Sequence, residues 1–103
     1  MEIRTTQDGG AARMEVIGEL DIGTGTQLED AVSRALEGGS RDVVVDLAGT
    51  TFLDSSGLGS LIRAARSVDA TQGTMTVLSP RGSEARVVIE MSRTGDVVGL
   101  QEA

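Results

Sequence analysis

Several residue types that carry chemistry are missing from this sequence. It contains no histidine and no cysteine, and all nine of its basic residues are arginine. The absence of cysteine excludes disulfides, thiol chemistry and zinc sites with sulfur ligands. The absence of histidine and lysine removes the usual general bases, so a serine hydrolase is disfavoured and we expect a protein that is not an enzyme.

Aromatic residues and long apolar runs are also scarce. Phe52 is the only aromatic residue, so the core must be built from aliphatic side chains. No stretch approaches the length of a membrane span, and the N-terminus lacks the pattern of a signal peptide. We therefore expect a cytoplasmic protein that does not bind membranes.

Acidic residues outnumber basic ones, which gives a net charge of −7 and a pI near 4.4. This balance disfavours nucleic acid and anionic membranes as partners, but it is compatible with basic protein surfaces. A chain of 103 residues with 39% apolar content has room for one modest core, so we expect a single domain over residues 1–103.

The first part of the chain has the pattern of a β-hairpin. Residues 1–6 and 12–16 alternate apolar and polar side chains, as half-exposed strands do. The segment Gln7-Asp8-Gly9-Gly10 between them carries an Asp-Gly turn signal. Gly18-Glu19-Leu20-Asp21 ends the second strand, and residues 22–25 form a loop.

A helix and a buried strand are predicted next. Thr26 and Glu29 fit the ends of a capping box, which makes Thr26 the expected N-cap. The apolar face of this helix consists of Leu28, Ala31, Val32, Ala35 and Leu36. Gly38-Gly39 supplies its stop, and residues 41–47 form a strand whose consecutive valines indicate burial on both faces.

The remaining elements follow from the same patterns. A helix is expected from Ser55 or Ser56 to about Ala70, and a strand over residues 74–78. Ser79-Pro80 has the pattern of an N-cap and first helical residue, so a third helix is expected over residues 81–93. Its buried residues would be Ala85, Val88, Ile89 and Met91. Residues 97–100 would form a last short strand.

The segment Leu53-Asp54-Ser55-Ser56-Gly57-Leu58-Gly59-Ser60 lies where a strand gives way to a helix. The first N–H groups of a helix have no intrahelical partner and attract oxygen atoms and anions. A hydroxyl here is either part of an ordinary N-cap or the acceptor of a phosphoryl group. Each of the two glycines costs roughly 1 kcal/mol in a helix, which suggests an unusual backbone angle or close approach of a partner.

Alternating strands and helices imply parallel pairing, and the hairpin adds an antiparallel edge. The expected fold class is therefore α/β, with a small mixed β-sheet made of an N-terminal hairpin plus parallel βαβ units. The carboxyl ends of parallel strands share one edge, so Asp21 and Asp54 are expected to be neighbours. Two carboxylates without a third ligand indicate a solvated acidic rim, and we expect no metal and no cofactor.

The order and spacing of residues 18–21, the first helix, Val43-Val44-Val45-Asp46-Leu47 and residues 52–59 resemble the STAS domain (sulfate transporter and anti-sigma factor antagonist). Within it, the chain is most similar to stand-alone bacterial anti-sigma factor antagonists. The resemblance covers essentially the whole chain. It implies a sheet with helices mainly on one side, and a protein that regulates transcription by partner switching.

The resemblance also implies roles for individual residues. Ser55 corresponds to the serine phosphorylated by a partner that is both serine kinase and anti-sigma factor. The unphosphorylated antagonist binds that partner and frees the sigma factor, phosphorylation releases it, and a metal-dependent serine phosphatase resets it. The partner-binding positions implied are Asp21, Thr24, Asp54, Ser56, Gly57 and Leu58.

Two questions stay open at this level. A STAS scaffold or sensor in a stress-signalling or transporter-associated assembly, without a phosphoswitch, is the alternative function. The chain also departs from the family at Asp96, where an apolar residue is usual, and in ending soon after Leu100. A C-terminal helix is therefore expected to be missing or very short. Separately, the unbound chain is expected to be a monomer.

Overall fold

The computed structural model describes residues 1–101, which form six strands and four helices. In chain order these elements are β1 (Glu2–Asp8), β2 (Ala11–Leu20), α1 (Gly25–Glu37), β3 (Asp42–Asp46), β4 (Thr50–Leu53), α2 (Ser55–Ala70), β5 (Thr74–Leu78), α3 (Glu84–Ser92), α4 (Gly95–Val98) and β6 (Leu100–Gln101).

The sheet has the mixed topology expected from the sequence. Its strand order is β1-β2-β3-β5-β6, and β4 pairs separately with β2. β1 and β2 are antiparallel, whereas the β2–β3, β2–β4, β3–β5 and β5–β6 pairs are parallel. The hairpin is confirmed, although its turn is formed by Gly9-Gly10, since Asp8 still pairs with Ala11.

The helices cover one face of the sheet. Along β2, the side chains of Ala12, Met14 and Val16 are buried, whereas those of Arg13 and Glu15 between them are exposed. This alternation marks a strand with one face toward the core and one toward solvent.

The same pattern corrects the expectation for β3. Val43 and Val45 are fully buried, but Val44 on the opposite face is only half-buried. On that open face Arg13 forms an ion pair with Asp46 at 2.6 Å. The three valines therefore reflect the general preference of β-branched residues for strands, and only one face of β3 is covered. The prediction that β3 is buried on both faces was wrong.

The start of α1 also differs from the prediction. The helix begins at Gly25 with Thr24 as N-cap, so the capping box at Thr26 is wrong. The Thr24 carbonyl already accepts a hydrogen bond from the Gln27 N–H at 3.0 Å, so Thr26 lies inside the helix. Glycine at position 25 allows a close helix crossing, because a β-carbon there would lie within 3.0 Å of the Ser60 hydroxyl of α2. The predicted buried face and the stop at Gly38 are confirmed, with Leu36 partly buried.

A strand that the sequence did not reveal precedes the central segment. β4 pairs with the last residues of β2, so α2 follows β4 and not β3. Only its first and last residues, Thr50 and Leu53, are buried. This strand places the start of α2 directly beside the end of β2.

The predictions for the last third were only partly correct. α3 begins at Glu84 with Ser83 as N-cap, because Gly82 adopts a positive φ of 83° in a turn that the Ser83 N–H closes on the Pro80 carbonyl at 3.1 Å. Ala85 and Ile89 are buried and Val88 partly so, but Met91 is 80% exposed, so its predicted burial is wrong.

Near the end of the described residues, a short helix precedes the last strand. Residues 95–98 form the single turn α4, so the predicted strand over 97–100 is wrong in its first half. Gly99, with φ 75°, ends this turn, and β6 then adds two residues beside β5. The expectation about a helix beyond Leu100 falls on residues 102–103, which lie outside the described range.

Candidate functional site

The ends of β2 and β4 bring the two predicted aspartates to one edge of the sheet. Leu20 and Leu53 are register partners, and Asp21 and Asp54 are the residues that follow them. The Asp54 N–H donates to the Leu20 carbonyl over 3.5 Å, a long contact at the last rung of the pairing. Parallel pairing therefore places both carboxylates beside the start of α2.

Asp54 is the N-cap of α2. Its backbone is extended, its Oδ1 accepts a hydrogen bond from the Gly57 N–H at 2.8 Å, and its carbonyl accepts one from the Leu58 N–H at 2.9 Å. An aspartate in this position is a strong helix start. Ser55 is consequently the first residue of a 16-residue helix.

Two serines follow the cap, and they differ in accessibility. Ser55 is exposed, whereas Ser56 is half-buried. Within residues 1–101 no acceptor satisfies the N–H groups of Ser55 and Ser56. These N–H groups and the positive end of the helix dipole can stabilise negative charge placed on the serine side chains.

The residues after the serines face the protein interior. Leu58 is 7% exposed and Gly57 is buried. A β-carbon at Gly57 would lie within 3.0 Å of the Leu20 carbonyl oxygen, so glycine is required by the chain's own β2. Neither Gly57 nor Gly59 has a positive φ, so the unusual backbone angle considered for them is ruled out.

The loop between β2 and α1 is held by its own side chains. Asp21 Oδ1 accepts hydrogen bonds from the N–H groups of Gly23 at 2.9 Å and Thr24 at 3.1 Å. The Thr24 hydroxyl donates to the Glu19 carbonyl at 2.8 Å and accepts from the Asp21 N–H at 2.9 Å. Asp21 and Thr24 therefore fix the shape of the loop next to Ser55.

Apolar side chains at this edge were missed by the sequence analysis. Ile22, at the tip of the loop, is 79% exposed, and Phe52, in β4, is 40% exposed. Ile22 lines the same groove as Ser55 and Ser56, so its exposed side chain can contribute apolar contact to a partner that covers these serines. The sequence did contain one sign of Ile22: it is the only apolar residue in a loop otherwise made of aspartate, glycine and threonine.

An arginine completes the surroundings of the two serines. A shallow groove of about 270 Å³ is lined by Ile22, Thr26, Ser55, Ser56, Gly59, Ser60 and Arg63. Arg63 forms an ion pair with Glu29 of α1, with Nε 3.0 Å from Oε1, and its Nη2 donates to the Ser60 hydroxyl at 3.3 Å. The hydrogen bond from Arg63 lowers the pKa of Glu29, against partial burial, which acts in the opposite direction.

The site has no clear set of metal ligands. Among residues 1–101, no three acidic side chains converge on one point. No helix in the same range is long and apolar enough to span a membrane. The edge of the sheet beside the start of α2 therefore presents two hydroxyls, unpaired N–H groups, one guanidinium and exposed apolar side chains.

The sequence profile of the STAS domain matches residues 2–102. The chain belongs to the STAS domain family. An anti-sigma-B factor antagonist from Staphylococcus aureus is 28% identical over 105 residues, which cover 99% of this chain and 88% of that protein. The recognition of the family from residues 18–59 is thereby confirmed.

Solved structures share the fold of this STAS domain. The anti-sigma factor antagonist SpoIIAA in its unphosphorylated form superposes with a TM-score of 0.82 at 22% identity, over 99% of this chain and 88% of that one. The phosphorylated form of SpoIIAA, from Bacillus, gives a TM-score of 0.75 at 23% identity over 99% and 91%. An anti-sigma factor antagonist from Mycobacterium paratuberculosis gives 0.86 at 22% identity, over 99% and 86%. These likenesses confirm the predicted α/β fold class.

Proposed function

We propose that this STAS domain is an anti-sigma factor antagonist that works by partner switching. In its unphosphorylated form it binds a serine kinase that is also an anti-sigma factor, and so frees the sigma factor. Phosphorylation of Ser55 ends that binding, and a metal-dependent serine phosphatase restores it. The observation that carries the proposal is the exposed Ser55 hydroxyl at the first position of α2, in a chain similar to anti-sigma-B factor antagonists.

The surroundings of Ser55 fit a binding surface that a phosphate would block. Asp21 and Thr24 shape the neighbouring loop, Asp54 fixes the helix start, and Ile22 and Phe52 offer apolar contact area. Gly57 and Leu58, which are buried, support this surface from below. A partner that binds here would cover Ser55 and Ser56 together.

Electrostatics gives the size of the effect. Transfer of the γ-phosphoryl group of ATP to Ser55 Oγ releases ADP and a proton, and adds roughly −1.5 to −2 charges near neutral pH. A partner carboxylate about 4 Å from one such charge is repelled by on the order of 4 kcal/mol at an effective dielectric near 20. Since about 1.4 kcal/mol is tenfold in affinity, a third of this repulsion weakens the binding of a partner about tenfold.

The phosphoryl group need not unfold the domain to act. The N–H groups of Ser55 and Ser56 have no acceptor in residues 1–101, and a phosphate at a helix start is stabilised by such groups. The switch is thus local, by charge and bulk at the interface. This function places the protein in the cytoplasm, where sigma factors act on RNA polymerase. We also propose that residues 1–103 form a single domain that is monomeric when unbound.

The test is intact-mass spectrometry of the protein after incubation with ATP, magnesium and each candidate anti-sigma kinase from the same genome. Ser55→Ala and Ser56→Ala form a matched pair, because each removes one hydroxyl from the same helix turn. A single phosphoryl addition that only Ser55→Ala abolishes is the expected result. A kinase that binds the protein but adds no phosphoryl group would overturn the phosphoswitch and favour the scaffold function. Native mass spectra of the same samples measure the oligomeric state.

A further inference from the structure

Three residues of α2 lie in a row along the groove beside the serines. Ser55, Gly59 and Arg63 are spaced four residues apart, which places them on one side of the helix, and all three line the same groove. Gly59, the middle residue of this row, has no side chain that could separate Ser55 from Arg63.

The guanidinium of Arg63 reaches back toward Ser55. Helical side chains lean toward the N-terminus of their helix. Accordingly, Arg63 Nη1 lies 3.3 Å from the position that a β-carbon of Gly59 would occupy, one turn closer to Ser55. The other two nitrogens are engaged by Glu29 and Ser60, while Nη1 has no acceptor among residues 1–101.

The present partner of Arg63 is easily replaced. The side chains of Arg63 and Glu29 are 57% and 27% exposed, and ion pairs open to solvent contribute little. A phosphoserine offers nearly two negative charges and three acceptor oxygens, and arginine binds phosphate through two parallel hydrogen bonds. A phosphate within reach would therefore compete well with a single carboxylate.

We propose that Arg63 binds the phosphoryl group of phosphorylated Ser55 across Gly59, and gives up its ion pair with Glu29 to do so. The inference rests on the phosphorylation of Ser55 proposed above. It assigns to Arg63 a role as the positioning residue of the phosphorylated state. The Glu29 carboxylate of α1 would then be left without this partner.

The experiment installs phosphoserine at position 55 during translation, so that no kinase is needed. The second ionisation of the phosphate is titrated by phosphorus NMR in the wild-type sequence, in Arg63→Gln and in Arg66→Gln. Arg66 is the matched control, because it is an exposed arginine of the same helix that lines a different groove. The carboxylates of Asp21 and Asp54 are the same in all these proteins, and Glu29→Gln is added to each of them, because Arg63→Gln would otherwise leave the Glu29 carboxylate unpaired.

We expect the phosphate pKa to rise by about 0.3–0.7 pH units in Arg63→Gln and to stay unchanged in Arg66→Gln. In Arg63→Lys, which keeps the charge but loses the paired hydrogen bonds, the rise should be smaller. Equal titration curves for the wild type and Arg63→Gln would overturn the role of Arg63. A kinase assay without modification of Ser55 would instead overturn the proposed function, so the two failures are distinguishable.

Discussion

The contact between Gly57 and the end of β2 can be tested by adding a single methyl group. In Gly57→Ala the new β-carbon would lie within 3.0 Å of the Leu20 carbonyl oxygen, which is backbone and cannot rotate away. Overpacking of this kind costs typically about 1–3 kcal/mol. The better helix propensity of alanine returns up to about 1 kcal/mol. We expect a net loss of about 1–2 kcal/mol in the free energy of unfolding.

Gly59→Ala is the matched control, because it makes the same change two residues later in the same helix. There the β-carbon would meet only the end of the Arg63 side chain, with Nη1 at 3.3 Å, and a flexible side chain can move. This substitution should therefore stabilise the protein by up to about 1 kcal/mol.

Both variants are compared by urea unfolding. The chain has no tryptophan, so far-UV circular dichroism is the signal. A loss of 1 kcal/mol corresponds to a fall in Tm of about 4–8 °C for a domain of this size. If Gly57→Ala proved as stable as Gly59→Ala, α2 would not pack against β2 as described, and the position assigned to Ser55 would be wrong.

Two further predictions concern the N-cap of α2 and the ion pair that joins α2 to α1. Asp54→Ala should lower the free energy of unfolding by about 1 kcal/mol through loss of the cap, whereas Asp54→Asn, which retains a capping oxygen, should lose much less; equal losses in urea unfolding would contradict the capping role. Arg63 lowers the pKa of Glu29 in the folded protein. The ion pair therefore stabilises the fold at pH values above about 4.3, the ordinary pKa of glutamate. This stabilisation is lost as the pH falls through the lower pKa that Glu29 has in the folded state. Stability measured below pH 4.3 should therefore fall less steeply in Glu29→Gln than in the wild type, and parallel curves would refute the assignment.

The start of α2 could be predicted from the sequence because its signals are local. Asp54 is a preferred N-cap residue, and the apolar spacing after Ser55 matches a helix. Thr26 satisfied a similar local rule, yet α1 begins at Gly25, because the loop held by Asp21 and Thr24 leads the chain into the helix two residues earlier. Two competing local signals lay side by side there, and the capping rule alone could not decide between them.

The misplacement of α3 has a related cause. Ser79-Pro80 has the pattern of a helix start, but Ser79 is fully buried and its N–H donates to the Gln101 carbonyl at 3.1 Å, extending the sheet past β5. The true cap is Ser83, whose side chain accepts from the Arg86 N–H. The pairing of β5 with β6 links distant segments, and a reading of neighbouring residues cannot anticipate it.

The candidate site was predictable in outline but not in its full membership. Asp21, Asp54 and Ser55 stand out as polar residues after apolar runs, and the sheet edge collects them. Ile22 was missed because its relation to Ser55 depends on how the loop before α1 lies against α2. Arg63 lies on the same side of α2 as Ser55, but its ion pair with Glu29 depends on how α1 packs against α2. Side chains brought in by helix packing need the three-dimensional structure.

The hairpin turn at Gly9-Gly10 offers a place to observe binding without disturbing it. It lies at the edge of the sheet where β3 begins, since the Gly10 carbonyl accepts from the Arg41 and Asp42 N–H groups, whereas Ser55 follows the opposite edge. A β-carbon at Gly10 would meet nothing within 4 Å, and its φ is not positive. Because the chain has no cysteine, Gly10→Cys would create a unique thiol for a fluorescent dye. The slower tumbling of that dye would report each partner that docks at the far end of the molecule.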